Sequence, residues 1–122
     1  MIDQKQLPSS NPDADVDAVV EAVRKYDPTK TKSWDDVRIL SDKTELDGLD
    51  LDPAGIILQP GNEFKGIVNI YVVLTYGRKK NDTFMTSDSF LGYFKGHFDK
   101  EHRPIIDDLL IDTSPFYEGE NV

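Results

Sequence analysis

The stretch Phe64-Lys65-Gly66-Ile67-Val68-Asn69-Ile70-Tyr71-Val72-Val73-Leu74-Thr75-Tyr76 decides the fold. Side chains alternate across a strand, so Val68, Ile70, Val72, Leu74 and Tyr76 share one face, and Ile67, Asn69, Tyr71, Val73 and Thr75 share the other. The first face is wholly apolar and the second half apolar, which suits a central strand of a sheet.

Strand-like runs follow on the C-terminal side. Gly77-Arg78-Lys79-Lys80-Asn81-Asp82 reads as a polar connection. Thr83 to Phe98 reads as one long strand or two joined segments, with Phe90, Phe94 and Phe98 on one face and Gly92 and Gly96 between them. Glycines inside a strand mark a bulge or the close approach of another group. After the polar turn 99–104, Ile105 to Asp112 makes a further strand, with Ile105, Leu109 and Ile111 expected to face one way. Short links between successive strands favour an antiparallel meander.

On the N-terminal side, Ile56-Ile57-Leu58 reads as a short strand ended by the turn pair Pro60-Gly61. The acidic run 42–52 contains Leu46, Leu49 and Leu51 and reads as a loop pinned to the core by leucines. Trp34 to Leu40 alternates weakly, with Val37 and Ile39 on one face, and is expected to be a strand. Asn11-Pro12 has the form of an N-cap followed by Pro in the first turn, and Asp13, Asp15 and Asp17 suit the positive end of a helix dipole. Val16, Val19, Val20, Val23 and Tyr26 recur at helical spacing, and Asp27-Pro28 ends the pattern, which predicts a helix over 12–26. Residues 1–9 have no periodicity and are expected to be a flexible N-terminus, with 10–122 a single domain. The expected fold is α+β: an N-terminal helix packed on an antiparallel β-sheet, a meander of four to six strands.

Composition narrows the function classes. With 122 residues the chain has the usual size of one domain, and its aromatic side chains offset a hydrophobic content of 38%. There is no Cys, so disulfides and thiolate chemistry are excluded. No apolar run approaches the roughly 20 residues of a membrane span, and the N-terminus has no signal-peptide pattern, so a soluble, cytoplasmic protein is expected. A net charge of −9 repels phosphate backbones, which makes nucleic acid an unfavoured partner despite the basic loop Arg78-Lys79-Lys80. The acidity reads as solubility or, more sharply, as attraction to a basic protein partner. Its candidate contacts are Asp47, Asp50 and Asp52 in the acidic run, and the tail aromatics Phe116 and Tyr117. Large aromatics this late in a chain need cover, and Asp112-Thr113-Ser114 looks like a turn that folds them back over the sheet.

Three constellations bear on chemistry. Asp52 with Glu63 and Lys65 matches the scattered carboxylate and Lys set with which metal-dependent nucleases hold Mg²⁺ and position water. Its alternative is a set of surface charges. His97 and His102 lie either side of a turn that brings them near Asp107 or Asp108 as metal ligands, the alternative being a solvated hairpin. Leu109-Leu110-Ile111-Asp112-Thr113-Ser114 resembles the Asp-Thr-Gly loop of aspartic peptidases, with Ser114 where Gly is usual. That chemistry needs two such carboxylates, hence a homodimer; the alternative is a strand end capped by its own side chains. Serine-nucleophile motifs, phosphate-binding Gly loops and dinucleotide fingerprints do not occur, so no cofactor is expected.

Residues 67–118 resemble the C-terminal part of a predicted nuclease family associated with prokaryotic PIWI-type defence proteins. The similar features are Leu74-Thr75-Tyr76-Gly77, Asp88-Ser89-Phe90 and the terminal Asp112-Thr113-Ser114-Pro115-Phe116-Tyr117-Glu118, where Pro115 interrupts the pattern. The resemblance implies a bacterial conflict or defence setting. The expected function is a small acidic interaction protein, an immunity, inhibitor or accessory component of such a system. The alternative is a metal-dependent hydrolase of the nuclease class.

Overall fold

Helix α1 (Pro12–Lys25) starts as its sequence dictates: Asn11 Oδ1 accepts the Ala14 N–H at 3.2 Å, and Pro12 sits in the first turn, where its missing N–H costs nothing. The computed structural model describes residues 11–77 and 82–120; the expectations for residues 1–9 and for the basic loop at 78–80 lie outside them. A 3-10 turn (Pro28–Lys30), capped by Asp27, leads to a short helix α2 (Trp34–Arg38). Five strands follow: β1 (Lys43–Asp50), β2 (Ile56–Gln59), β3 (Glu63–Tyr76), β4 (Phe84–Phe98) and β5 (Pro104–Asp112). The terminal helix α3 spans Ser114–Glu120.

The strands form one antiparallel sheet in the order β1-β3-β4-β5. β2 also pairs with β3, on the same side as β1 but nearer the start of β3. β1 and β2 therefore act as one edge strand, broken by the 3-10 turn Pro53–Gly55. The α+β arrangement with an N-terminal helix is the one expected, and β3 is its centre, paired on both sides.

The face of β3 read as wholly apolar is the core face. Val68, Ile70, Val72 and Leu74 are buried there together with Phe64. Val19, Val20 and Val23 of α1 close over this face, and Val16 and Tyr26 pack at its margin. Phe90, Phe94 and Phe98 line the same face of β4, and Phe64 meets Phe94 and Phe98 edge to face. Gly92 and Gly96 make room for them. A Cβ at Gly96 would run into the Ile105 carbonyl oxygen and the Phe64 ring, and one at Gly92 would come within 2.8 Å of the Ile70 δ-methyl.

Three local expectations are corrected. Trp34 to Leu40 is not a strand: α2 places Asp35 and Asp36 in its first turn and buries Trp34 and Val37, one helical turn apart. The acidic run is not a loop but β1 and its exit; the leucines do pin it, Leu51 being buried and Leu46 and Leu49 half-buried. Its alternation is broken by a bulge between Leu46 and Gly48, which leaves Asp47 as the extra residue. A second bulge, opposite Lys95 and Gly96, shifts the start of β5 by one residue. Ile106 therefore packs on the core with Leu109 and Ile111, while Ile105 turns outward.

Candidate functional site

Helices α1 and α2 pack on one face of the sheet. On the other, alternate residues of β3, β4 and β5 stay exposed although many are apolar: Ile67, Tyr71, Leu91 and Tyr93 are each about 40% exposed and Leu110 is 61% exposed. The strand register aligns them. Ile67, Tyr93 and Leu110 lie opposite one another in one row across β3, β4 and β5. The next row is Asn69, Leu91 and Asp112, extended onto β1 by Asp50. Tyr71 lies beyond it, opposite Ser89. Neighbours on one face of paired strands stand about 5 Å apart, so these side chains form a continuous patch.

Carboxylates border the patch on both edge strands, Glu45 and Asp50 on β1, Asp108 and Asp112 on β5. At one end Lys65 and Lys95 face each other across β3 and β4, and neither has an ion-pair partner among the described residues. Like charges set opposite each other cost stability.

On the β5 side the patch runs into a cleft of about 600 Å³ between β5 and the link joining α1 to α2. Leu110 and Asp108 belong to both, and the cleft is bordered further by Asp35, Asp36 and Asp107 and by a single base, Lys32. Asp35 is tied to Arg38 at 3.1 Å and Asp107 to His97 at 2.8 Å, while Asp36 and Asp108 have no ion-pair partner among the described residues. The cleft is thus an acidic groove beside an apolar sheet face. A protein surface with an apolar centre and basic flanking residues is its chemical complement.

The residues singled out in the sequence are placed as follows. Glu63 and Lys65 share the open face of β3, but Asp52 caps the 3-10 turn, its Oδ1 accepting the Ala54 N–H at 2.9 Å. His97 meets Asp107 at 2.8 Å, whereas His102 turns away and bonds Asp15 Oδ1 of α1 through Nε2 at 2.8 Å. His102 also stacks on Phe98, with ring centres 4.6 Å apart. That pair ties the start of α1 to the turn between β4 and β5. Asp15 is buried, and its Oδ2 has no hydrogen-bond partner. No three of the described His, Asp and Glu side chains gather around a common metal position.

Asp47 and Asp50 are exposed on β1, with β3 and β4 lying between them and β5, the strand that leads to the tail. Asp112 accepts the Ser114 N–H at 3.0 Å and the Ser114 hydroxyl at 2.7 Å. The Ser114 hydroxyl first, then its N–H, holds the Asp112 carboxyl below the ordinary carboxylate range. This is the self-capped strand end foreseen as the alternative to a peptidase loop, and α3 begins at that residue. Phe116 packs back on the core and Tyr117 stays 45% exposed, the two rings meeting edge to face at 5.4 Å.

Sequence reasoning missed the cleft. Asp35-Asp36 and Asp107-Asp108 are far apart in the chain, and only the packing of α2 beside β5 brings them together. The visible signal was two Asp-Asp pairs, each next to a buried apolar residue. Comparison with protein-family models, with curated proteins and with solved structures finds no match to this chain.

Proposed function

We propose that the chain is a non-enzymatic interaction module that docks a basic protein partner on the open face of its sheet. The observation that carries this reading is the continuity of the apolar row Ile67–Tyr93–Leu110 with the acidic cleft at Asp108 and Leu110. Monomeric soluble proteins rarely leave a contiguous apolar patch uncovered without using it. Tyr71 and Tyr93 are the side chains best suited to anchor a partner, since each presents a broad ring and a hydroxyl at little entropic cost. The carboxylates around the patch, Asp50 among them, supply steering and orientation. Among the residues first favoured for contact, Asp47 is exposed at the bulge of β1 and Tyr117 is exposed on α3, while Phe116 packs on the core.

The resemblance of residues 67–118 to a PIWI-associated family supports placing this interaction in a bacterial defence or conflict system, with the chain as an immunity, inhibitor or accessory component. The cytoplasm is the proposed setting, since a Cys-free composition suits a reducing compartment.

The test uses the intact chain as bait in lysate of its native host, in three forms: wild type, Ile67→Lys/Tyr93→Lys, and a control, Ile39→Lys, at an exposed position outside the patch. A protein held by the wild type and the control but released by the double variant and by rising salt supports the reading. Capture that ignores the double variant, or that strengthens with salt, contradicts it.

A further inference from the structure

Each strand has two edges, and an edge with no neighbour offers its N–H and C=O groups to any chain that reaches it. In β4 the direction of these groups can be traced residue by residue. The Phe98 N–H donates to the Asn62 carbonyl at 2.8 Å, and the Asp99 N–H donates to the Arg103 carbonyl at 2.9 Å. Even-numbered residues of β4 therefore turn their backbone groups toward β3, and odd-numbered ones toward the β5 side. The pairing of β4 with β3 has no register shift, so this alternation holds to Phe84.

β5 stops at Asp112, opposite Leu91. Beyond that point Met85, Ser87 and Ser89 point their N–H and C=O groups at a side where no described strand lies, and all three residues are exposed. Among the described residues the compensation is local: Asp88 Oδ1 accepts the Ser89 N–H at 2.8 Å.

The other free edges are guarded. β1 carries a bulge at Asp47, and the edge it shares with β2 is broken by the turn that starts at Pro53. β5 begins at Pro104, carries its own bulge, and has the outward Ile111 N–H taken by Ser33 Oγ at 2.8 Å. Phe84-Met85-Thr86-Ser87-Asp88-Ser89-Phe90 contains no Pro, no Lys, no Arg and no bulge.

We propose that this edge is a self-association site, at which two copies of the chain pair antiparallel about a two-fold axis at Ser87. The segment is close to its own complement. Pairing about Ser87 sets Met85 opposite Ser89 of the second copy and Ser87 opposite Ser87, so every outward N–H of one copy meets an outward C=O of the other. Phe84, 60% exposed in the single chain, comes to lie opposite Phe90 of the second copy, and the Thr86 hydroxyl opposite the Asp88 carboxylate. Two chains of charge −9 repel, yet this segment carries one charge in seven residues, so repulsion is weakest where the copies would meet. That same poverty of charge makes it a poor seat for a basic peptide. Edge pairing leaves the open face of each copy free, and the pair would present two partner-binding faces side by side on one continuous sheet. Seven paired residues make a small interface, so the association is reversible and concentration-dependent.

The test is sedimentation equilibrium of the intact chain from micromolar to millimolar concentration, at low and high salt. The expected result is a monomer–dimer equilibrium that strengthens with salt as the net charges are screened, opposite to partner binding. Ser87→Pro removes an N–H that points away from β3, so β3–β4 bonds are retained while about two inter-copy bonds are lost; dimerisation should weaken about tenfold or more. In the Cys-free chain, Ser87→Cys gives a fold-preserving second readout. Facing residues of a hydrogen-bonded pair stand about 5.5 Å apart, within disulfide range. Oxidation should yield a linked dimer, and Ile39→Cys should not. A chain that stays monomeric at millimolar concentration in high salt overturns the proposal, as does a Ser87→Cys chain that cross-links no better than Ile39→Cys. Partner capture that survives while dimerisation fails leaves the open-face reading standing and removes only this one.

Discussion

The two faces of one sheet are built by alternate residues of the same strands, yet one is buried and the other exposed. On β3 the even-numbered residues Phe64, Val68, Ile70, Val72 and Leu74 are sealed under α1 and α2, while the odd-numbered Ile67 and Tyr71 look out. The odd-numbered residues are not uniformly polar, as they would be on a face made only for water: Ile67, Tyr71 and Val73 stand among Lys65, Asn69 and Thr75. A covered face contributes stability in proportion to the area it buries. An exposed apolar face contributes little to the lone chain and, on the reading proposed above, keeps its area for a partner.

Truncating the covered face should break the fold first. Phe64→Ala removes the ring that meets both Phe94 and Phe98 and should cost about 3–5 kcal/mol in denaturant melts. Ile70→Ala or Leu74→Ala should cost about 2–5 kcal/mol. A loss below about 0.5 kcal/mol at either position would mean that the register of β3 is wrong.

Gly96→Ala probes the same face from β4. The added methyl meets the Ile105 carbonyl and the Phe64 ring, and neither can move freely, so a loss of about 1–3 kcal/mol is expected. Gly48→Ala, in a strand position open to solvent, should be nearly neutral or slightly stabilising.

Smaller still is the effect of His102→Ala. It leaves the buried Asp15 carboxylate with neither oxygen paired, and should cost about 1–2 kcal/mol. A neutral result would show that water replaces the His at the start of α1.

The smallest effect concerns acid. Asp27, Asp99 and Asp112 are held below the ordinary carboxylate value of 3.8, chiefly by hydrogen bonds from Thr29, Arg103 and Ser114 respectively. A depressed folded-state pKa stabilises the fold above the unfolded value and loses that contribution as pH falls through the folded value. Thermal melts should therefore be flat with respect to these three groups above about pH 5 and decline below pH 3.8. Asp112→Asn should flatten the decline slightly, and a steeper decline in that variant would contradict the assignment.

Much of the covered face was legible because strand alternation is a local signal, and β3 carries it for six buried positions, Phe64 to Leu74, without a break. β1 was not legible: its alternation is interrupted at Asp47, and an acidic run with Gly48 resembles a loop. α2 spans five residues, too few for its period to separate from alternation. Ile105 was assigned to the wrong face because one extra residue in β5 inverts every side chain before it. Of the site, the half-apolar character of β3 was visible at Ile67 and Tyr71. Its extension through Tyr93 to Leu110, and the meeting of Asp35-Asp36 with Asp107-Asp108, depend on pairings between residues far apart in the chain, which no local pattern encodes.

The central claim is that the covered face holds the fold and the open face holds the partner. Its most direct test measures, for Tyr93→Ala and wild type, both the thermal midpoint of the isolated chain and the dissociation constant for the purified partner by calorimetry. The account predicts an almost unchanged midpoint and a dissociation constant raised at least about thirtyfold, the loss of a buried aromatic anchor worth roughly 2 kcal/mol. Unchanged affinity with an unchanged midpoint would contradict it, and a large drop in the midpoint would show that Tyr93 belongs to the fold rather than to the contact.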